Sequence, residues 1–332
     1  MLVEIKEKFN ESILKKFINI YEIDFKTVEF IGGFDSFVYS YKKDQKDFIL
    51  KITHSIRRTS AYIKGELDWL NYMAEAGVSV AKAVPSTARN FIETIGTDDD
   101  YFMCICYERA PGSPPTEDDW NLALFEEWGS ITGKLHTCTK LYANDHGNKT
   151  RNHWFQEDYL NIDKYIPEDQ KDFRKISKEL IEKLKGIPKN VDNYGLIHGD
   201  LHFLNFHISK GKITLFDFDD IGFNYFINDL AVILFYAYWR PLKPHEDDQV
   251  FIKEFLQSFL KGYEKHNQFN REWFGYLQDF LKLRHIIQYI AFIQSVNLNN
   301  LSIDEQEYMD FQKMIIEKGY PIIDFDFTKV DI

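Results

Sequence analysis

Apolar residues recur with a helical spacing at the start of the chain and with a strand-like spacing soon after it. Over residues 2–20 they return every three or four positions, which predicts an amphipathic helix. A second helix is expected over 59–76, where Gly77 ends the pattern. The other segments of this region are short and rich in β-branched and aromatic residues, which favours strands. The predicted strands cover residues 27–31, 37–41, 47–52, 91–95 and 101–107.

A cluster of proline and glycine at residues 110–115 marks the clearest change of character in the sequence. Beyond it the patterns are mostly helical, with one strand-rich island at 194–220. The predicted helices cover residues 117–139, 156–163, 168–186, 226–239, 247–265 and 271–296.

This order of elements predicts an α+β protein. A small β-rich N-terminal lobe with one main helix is followed by a hinge and by a larger, mostly helical C-terminal lobe. We place the boundary after residue 108. Residues 1–108 then form the N-terminal lobe, with a leading helix within 1–24, and residues 109–332 form the C-terminal lobe.

Charge and cysteine content narrow the classes of function. The 332 residues carry a formal net charge of -12, which argues against a general nucleic-acid-binding protein because such proteins need a basic surface. The three cysteines are too few for a disulfide framework. The sequence shows no secretory signal and no apolar run long enough to cross a membrane. We therefore expect a cytoplasmic protein without nucleic-acid or membrane partners, and the oligomeric state stays open.

The strand-rich island contains the residues best suited to chemistry. His198, Gly199 and Asp200 follow a short apolar run, and Asn205 comes five residues after the acid. A second apolar run ends at Asp217. Because amide and carboxylate oxygens suit Mg²⁺, Asn205 and Asp217 are the candidate metal ligands. Asp200 is the candidate catalytic base, which accepts a hydrogen bond from an attacking hydroxyl and orients it toward a γ-phosphate.

The spacing of these residues carries a family resemblance. The matching residues are His198-Gly199-Asp200, Asn205 and Asp217-Phe218-Asp219. Together they resemble the aminoglycoside phosphotransferase and choline kinase family, a branch of the protein-kinase-like fold. Segments 259–264 and 281–289 look like the branch that holds homoserine-kinase-like enzymes and a bacterial stress-response kinase. The resemblance implies a two-lobed kinase-like fold, a catalytic base at Asp200, and magnesium ligands at Asn205 and Asp217.

A glycine-containing loop between the first two predicted strands is the candidate phosphate loop. It contains Gly32, Gly33, Phe34, Asp35 and Ser36. Glycines allow the backbone to come close to phosphates, and exposed amides in such a loop can bind them. Gly32, Gly33 and Ser36 are therefore candidate nucleotide-binding residues. An ordinary hairpin turn is the alternative interpretation.

Four other residues are candidates for the nucleotide site. Lys51 lies among apolar residues of a predicted strand, so its charge needs a partner, and Glu66 on the following helix is the candidate. In a kinase-like site the lysine binds the α- and β-phosphates and the glutamate orients it. A solvent-facing lysine and a surface glutamate are the alternative. Glu108 and Ala110, beside the proline and glycine cluster, are expected to offer backbone groups to the adenine base.

Two residues of the helical region are expected to have structural roles. His136 lies in a predicted helix, where a hydrogen-bonded structural histidine is favoured over a catalyst. Asp229 begins an apolar helix, which it is suited to cap. The family resemblance implies in addition that Asp229 braces the catalytic loop.

The predicted enzyme is a Mg²⁺-dependent phosphotransferase that moves the γ-phosphate of ATP, or of GTP, to a hydroxyl group of a small molecule. A protein Ser/Thr kinase is disfavoured because the interval between Asp217 and Asp229 is short and contains no obvious activation segment. A nucleotide-binding pseudokinase is disfavoured because every acid that catalysis requires is present. Amino alcohols, choline-like alcohols and aminoglycosides all remain candidate acceptors.

Acidic and aromatic residues of the C-terminal lobe have two interpretations. They either form a pocket for an ammonium group or belong to the core. The residues concerned are Trp154, Asp158, Tyr159, Tyr236, Trp239, Glu264 and Tyr289.

Overall fold

The computed structural model describes residues 3–33, 36–97, 99–145 and 150–329. Phe34 and Asp35 of the predicted phosphate loop lie outside these residues. The described residues form two compact units, and the lobe boundary at residue 108 stays a prediction. The sheet unit takes its residues from Met1–Ser113, His146–Arg151 and Phe206–Asp219, and the helical unit takes its residues from Pro114–Asp145, Asn152–Asn205 and Asp220–Ile332.

Strands and helices are numbered in chain order. The strands are β1 (Glu29–Gly32), β2 (Phe37–Lys43), β3 (Lys46–His54), β4 (Ala83–Val84), β5 (Glu93–Gly96), β6 (Tyr101–Glu108), β7 (Tyr194–Ile197), β8 (Phe206–Ser209), β9 (Lys212–Leu215) and β10 (Gly222–Tyr225). The helices are α1 (Val3–Lys8), α2 (Glu11–Ile20), α3 (Ser60–Glu75), α4 (Leu122–Asp145), α5 (Ile162–Tyr165), α6 (Lys171–Lys185), α7 (Phe226–Trp239), α8 (Asp248–Tyr263), α9 (Phe274–Ser295) and α10 (Ile303–Lys318).

The sheet unit is built on an antiparallel sheet in the order β1-β2-β3-β6-β4, with β5 also paired to β6. All five predicted strands are present in it, and the two-residue strand β4 is an addition to the prediction. Lys51 lies in β3, opposite Val38 of β2 and Ile105 of β6, so this lysine projects from the middle of the sheet. The chain between β2 and β3 is a tight turn, as the short polar interval predicts.

The leading helix is interrupted, in contrast to the single helix predicted over residues 2–20. Asn10 has an extended backbone, with φ of -148°, and its side chain accepts hydrogen bonds from the Ser12 and Ile13 amides. An asparagine that satisfies the first amides of a helix fixes its start there, so α2 begins as a new helix. The apolar face of α2, including Phe17, belongs to the same buried cluster as Leu50 of β3, in the core of the sheet unit.

A second hairpin belongs to the sheet unit. Strands β8 and β9 pair with each other. The Leu215 amide donates to the Ser79 carbonyl at 2.9 Å, and the Ala81 amide donates to the Leu215 carbonyl at 2.8 Å. Two residues later the chain reaches Asp217. The hairpin therefore delivers Asp217 to the sheet unit through fixed backbone contacts.

The helical unit is centred on two closely packed helix pairs. In the first pair, α4 crosses α8 at positions without side chains: a Cβ atom on Gly129 would lie 1.8 Å from the Phe259 carbonyl oxygen, and one on Gly262 would lie 1.8 Å from the Glu126 carbonyl oxygen. In the second pair, the almost fully buried helix α7 packs against α9. The short strands β7 and β10 pair beside these helices and lead into the segment that carries Asp200.

Two regions of the helical unit differ from the prediction. The helix expected over 156–163 is replaced by short 3₁₀ turns at Trp154–Gln156 and Asp158–Leu160 and by the four-residue α5, which bury Trp154, Leu160 and Ile162 without a continuous helix. Helix α10 lies beyond the predicted elements, and a capping box of Ser302 and Glu305 begins it. Across the described parts of the chain, no helix combines the length and the apolar character needed to cross a membrane.

Candidate active site

The backbone before Asp200 is held in a conformation that only glycine adopts easily. Gly199 has φ of +79°, and a Cβ atom at this position would lie 2.6 Å from the carbonyl oxygen of Asp220. The Gly199 amide donates to Asp229 Oδ1 at 2.9 Å, and the His198 amide donates to Asp229 Oδ2 at 3.3 Å. The loop that presents Asp200 is therefore fixed by one buried carboxylate.

Asp229 is itself held by a buried hydrogen-bonded chain. Its Oδ2 lies 3.0 Å from His136 Nε2, and His136 Nδ1 lies 2.9 Å from the Tyr263 hydroxyl. All three side chains are buried. His136 thus has the structural role predicted for it, and Asp229 braces the loop that contains Asp200.

Asp200 has polar partners on both carboxylate oxygens. Arg284 Nη2 donates to Oδ1. His202 Nε2 lies 3.2 Å from Oδ2, and Asn205 Nδ2 donates to the same oxygen at 3.3 Å. Burial raises the pKa of Asp200, but the positive charge of Arg284 and the hydrogen bond from His202 outweigh it, so the net pKa is below the ordinary value. Asp200 is therefore ionised and able to accept a proton.

Arg284 was not recognised from the sequence as a site residue. It lies in α9 and is almost fully buried, and its Nη2 also donates to the Tyr236 hydroxyl at 2.9 Å. The available signal was a charged residue within the apolar run of residues 283–287. That signal shows that the arginine needs a buried partner, but not which of the many acids of the chain provides it.

Asn205 is placed to offer an oxygen ligand. Its Nδ2 donates to the backbone carbonyl of Asp200 at 2.9 Å, which sets the orientation of the amide. The carbonyl oxygen at the other end of the amide is then left for a cation. A hard amide oxygen next to an ionised carboxylate fits Mg²⁺ or Ca²⁺ better than it fits a transition metal.

Asp217 and Lys51 lie together in the sheet unit. Asp217 has a left-handed backbone, with φ of +59°, and its half-exposed carboxylate lies 2.9 Å from Lys51 Nζ. Lys51 Nζ also lies 3.7 Å from Asp219 Oδ1. Burial lowers the pKa of Lys51, but the negative charges of Asp217, Asp219 and Glu66 raise it by more. The net pKa is therefore above the ordinary value, and the ammonium stays charged. Asp217 is thus an exposed carboxylate next to a permanent positive charge, which suits both a cation and phosphates.

The expected ion pair between Lys51 and Glu66 is not formed. Within the described residues, Lys51 pairs with the two aspartates, whereas Glu66 accepts a hydrogen bond from the Tyr107 hydroxyl at 3.1 Å. Burial raises the pKa of Glu66 and the charge of Lys51 lowers it, with a net rise. Glu66 therefore acts on Lys51 through its charge, while its hydrogen bond goes to β6. The left-handed backbone at Asp217, which brings a closer acid to the lysine, was not foreseeable from the sequence.

Asp219 is surrounded by cations that the sequence analysis did not connect with it. Its Oδ2 lies 3.3 Å from Arg57 Nη2 and 3.8 Å from Arg58 Nε. Arg151 donates to the Asp219 backbone carbonyl at 2.7 Å, and its guanidinium lies 3.6 Å from the ring centroid of Tyr62. Burial raises the pKa of Asp219, but Lys51 and the arginines lower it by more. Asp219 is a permanently charged counter-ion.

In the candidate phosphate loop, the backbone of Gly33 lies close to the backbone of Ser36. Gly33 has φ of +122°, and a Cβ atom there would lie 2.0 Å from the Ser36 carbonyl oxygen. Gly32 has φ of +129° with open space where a Cβ would be. Ser36 is buried. Gly32 thus leaves room for close approach by another group, which a phosphate loop needs, whereas a glycine is required at position 33 by its contact with Ser36.

The candidate adenine-binding residues lie at the end of β6. The Glu108 amide already donates to the Lys82 carbonyl at 2.8 Å, so this group is occupied. The Ala110 carbonyl accepts a hydrogen bond from His207 Nδ1 at 3.0 Å. The structure records no acceptor among the described residues for the Ala110 amide. Of these two residues, Ala110 therefore has the freer backbone donor.

Most of the residues considered for an ammonium pocket have other partners. Trp154 and Tyr289 are core residues, and the Tyr289 hydroxyl donates to Gln170. Tyr236 is buried against Arg284, Glu264 pairs with Arg271, and Asp158 pairs with Lys164. The interpretation as core and surface pairs accounts for these five residues.

Comparison with known proteins adds independent information. The chain matches the phosphotransferase enzyme (APH) family over residues 26–273. An amicoumacin kinase of Bacillus subtilis (strain 168) is 40% identical over 327 residues, which cover 98% of this chain and 97% of that protein. The solved structure of the amicoumacin kinase hAmiN in complex with AMP-PNP, Ca²⁺ and Ami has a TM-score of 0.95 at 40% identity, covering 98% of this chain and 99% of the other.

More distant structures share the fold. A microcompartment-associated aminopropanol kinase has a TM-score of 0.73 at 18% identity, with coverage of 93% of this chain and 95% of that one. The choline kinase LicA from Streptococcus pneumoniae has a TM-score of 0.60 at 16% identity, with coverage of 93% and 98%. These likenesses, together with the antiparallel sheet and the helical unit, confirm the predicted α+β kinase-like fold.

Proposed function

We propose that this chain, which belongs to the phosphotransferase enzyme family, transfers the γ-phosphate of ATP to a hydroxyl group of amicoumacin or a close analogue. The family match over residues 26–273 confirms the predicted resemblance and the predicted class of enzyme, a kinase with an alcohol group as acceptor. The choice of acceptor rests on one observation: 40% identity to an amicoumacin kinase over nearly the whole of both chains. Choline-like alcohols, amino alcohols and aminoglycosides are the alternatives that the test must include.

ATP and a divalent cation are the cosubstrate and cofactor of this reaction. The relative that contains AMP-PNP and Ca²⁺ supports both. When bound, the cation neutralises part of the phosphate charge, and the predicted ion is Mg²⁺. We propose that Asn205 and Asp217 each contribute an oxygen ligand, because each presents a hard oxygen donor. The use of GTP, a cytoplasmic location and the lack of nucleic-acid and membrane partners stay predictions.

The catalytic role of Asp200 follows from its ionisation and its fixed loop. The acceptor hydroxyl donates a hydrogen bond to the carboxylate, its oxygen forms a bond to the γ-phosphorus, and ADP leaves with the electrons of the broken P–O bond. The hydroxyl proton passes to Asp200. Because Asp200 is held by Arg284 and its loop by Asp229, little reorganisation is needed during the transfer.

The remaining candidates are assigned to the nucleotide. We propose that Lys51 binds the α- and β-phosphates, that Glu66 contributes to its charge environment, and that the amides near Gly32, Gly33 and Ser36 cover the phosphates. Lys51 supports this role because it is charged and lies at the centre of the sheet. Ala110 is the preferred backbone donor to the adenine base, ahead of Glu108, whose amide is occupied.

The decisive experiment is ADP release from Mg-ATP with a panel of acceptors, compared between the wild type and Asp200→Asn. We expect release to be stimulated by amicoumacin and to fall by at least about 1000-fold in Asp200→Asn, because general-base catalysis and the charge of the carboxylate are both lost. Asp192→Asn is the matched control, since this carboxylate is exposed and pairs with Lys140. The control should keep wild-type turnover.

Each other outcome removes a part of the proposal. Stimulation by choline, an amino alcohol or an aminoglycoside, with none by amicoumacin, rejects the acceptor and keeps the class of enzyme. Stimulation only by a protein substrate makes the chain a protein kinase. Wild-type turnover in Asp200→Asn rejects this residue as the base.

A further inference from the structure

Arg284 is a buried cation whose position is not explained by packing alone. Its side chain is 8% exposed, and its Nη2 donates both to Asp200 Oδ1 and to the Tyr236 hydroxyl. Among the described residues, the Nε of Arg284 is buried without a hydrogen-bond partner. Removing a charge from water is unfavourable, and the ion pair that it then forms returns about as much free energy as is lost. An apolar residue would thus serve packing equally well, so the arginine indicates a function at Asp200.

The hydrogen bonds of Asp200 identify the oxygen on which this function acts. A carboxylate offers about four acceptor positions, two on each oxygen. Oδ2 already accepts from His202 at 3.2 Å and from Asn205 at 3.3 Å. Among the residues that the structure describes, Oδ1 accepts a hydrogen bond from Arg284 alone. The open acceptor position is therefore on Oδ1, the oxygen that Arg284 holds.

We propose that Arg284 is a positioning residue for the base: it fixes Asp200 Oδ1 as the oxygen that receives the hydroxyl proton, and Tyr236 in turn fixes Arg284. The inference rests on the proposed function of Asp200. During transfer the acceptor O–H bond breaks and its proton moves to Oδ1. The acceptor oxygen bonds to the γ-phosphorus, and the P–O bond to ADP breaks. Arg284 stays protonated throughout. Helices α7 and α9 thereby hold the base in position through Tyr236 and Arg284.

The side chains around Asp200 make the proposal testable by substitution. His202 and Asn205 hold Oδ2 from the loop of Asp200 itself, and Arg284 holds Oδ1 from α9. Arg284→Gln therefore changes the contact on Oδ1 and leaves both contacts on Oδ2.

The first test compares kcat and the KM for ATP in the wild type, Arg284→Gln, Arg284→Lys and the control Arg271→Gln. Arg271 pairs with Glu264 at a partly exposed position. We expect kcat to fall about 100-fold in Arg284→Gln with an unchanged KM for ATP, because the base loses its fixed orientation. Arg284→Lys, which keeps a charged donor, should recover most of this loss, and the control should match the wild type. An unchanged kcat in Arg284→Gln, or a fall in kcat accompanied by an equal rise in the KM for ATP, overturns the proposal.

Two further measurements protect the test against misfolding and against a wrong acceptor. Tyr236→Phe removes one hydroxyl from the arrangement and should lower kcat about fivefold with an unchanged KM for ATP, since a hydrogen bond to a charged group is lost. An unchanged kcat overturns the role of Tyr236. The NMR signal of the Asp200 carboxyl carbon at one fixed pH, assigned by comparison with Asp200→Asn, needs no turnover. An identical signal in the wild type and in folded Arg284→Gln overturns the role of Arg284 even if every acceptor fails.

Discussion

Two partly buried aspartates, Asp200 in the helical unit and Asp219 in the sheet unit, are both kept ionised against the effect of burial. Their side chains are equally accessible, at 21% each. The pKa of each lies below its ordinary value. What differs is the source of the positive charge. Asp200 has one permanent cation, Arg284, and otherwise neutral hydrogen-bond donors and histidines. Asp219 lies near Lys51, Arg57, Arg58 and Arg151.

This difference separates a reactive carboxylate from a structural one. A base must be ionised and must also keep an acceptor position for a proton, and one cation on one oxygen allows both. A carboxylate surrounded by several cations holds them together, and protonation would leave them uncompensated. The same side chain, with the same exposure, is thus suited to catalysis in one unit and to cohesion of the charged residues in the other.

Asp219→Asn should give the largest loss of stability among the acids of the sheet unit. It removes the carboxylate that Arg57 and Arg58 contact and whose charge also acts on Arg151. Breaking a buried ion pair by removing one partner typically costs about 3–5 kcal/mol, and we expect a loss of this size in the free energy of unfolding. Urea denaturation followed by circular dichroism measures it.

Asp217→Asn is the matched control for that loss. Asp217 is half exposed and has Lys51 as its ion-pair partner, so the variant should lose less than about 1 kcal/mol of stability. It should nevertheless lose Mg²⁺-dependent ATP binding, measured by calorimetry. If Asp219→Asn instead unfolds like the wild type and loses ATP binding, Asp219 is a ligand rather than a counter-ion, and the contrast with Asp200 fails.

The pH dependence of stability gives a second, smaller test. The pKa of Asp219 is lower in the folded state than in the unfolded state. Its contribution to the free energy of unfolding is therefore present above the unfolded pKa and is lost progressively as the pH falls below about 5. Glu66 has the opposite sign, since its raised pKa favours the protonated folded state at low pH. One such carboxylate typically changes the free energy of unfolding by about 2 kcal/mol.

Because the pKa shifts of Asp219 and Glu66 have opposite signs, one experiment distinguishes the two acids. In urea denaturation between pH 7 and pH 3, Asp219→Asn should flatten the loss of stability toward acid, whereas Glu66→Gln should steepen it. If Glu66→Gln gives the same slope as the wild type, Glu66 is ionised to the same extent in the folded and unfolded states, and its burial does not control its protonation.

The sequence was most informative where chemistry depends on local spacing. Asp200 and Asn205 are five residues apart, and the structure connects them through the Asn205 amide. Asp229 lies farther along the chain, and its contact with the loop was inferred from the family resemblance alone. Strands of the sheet unit were predictable because their short β-rich segments are bounded by polar turns.

Contacts between distant segments were not predictable from one sequence. Arg284 is 84 residues from Asp200, and many other acids were equally plausible partners. Asp219 and its arginines show the same limit, since Arg57 and Arg151 belong to separate segments. The break at Asn10 had a local signal, since asparagine is a favoured N-cap residue. The helical spacing of apolar residues continues through this position, however, and it favoured a single helix. Charge pairing is decided by packing, which depends on the whole fold.

Tyr107→Phe tests the smallest part of the contrast, the hydrogen bond between Tyr107 and Glu66. The Tyr107 hydroxyl donates to Glu66 Oε1 at 3.1 Å, so we expect a loss of about 1 kcal/mol in the free energy of unfolding. ATP affinity should change less than about twofold, because Lys51 keeps its contact with Asp217. Tyr101→Phe on the same strand is the control, since its hydroxyl accepts only a 3.4 Å bond from the Ser60 amide. A loss of ATP affinity in Tyr107→Phe alone would assign Glu66 to the nucleotide site through this tyrosine, and the charge arrangement around Lys51 would then serve binding as well as cohesion.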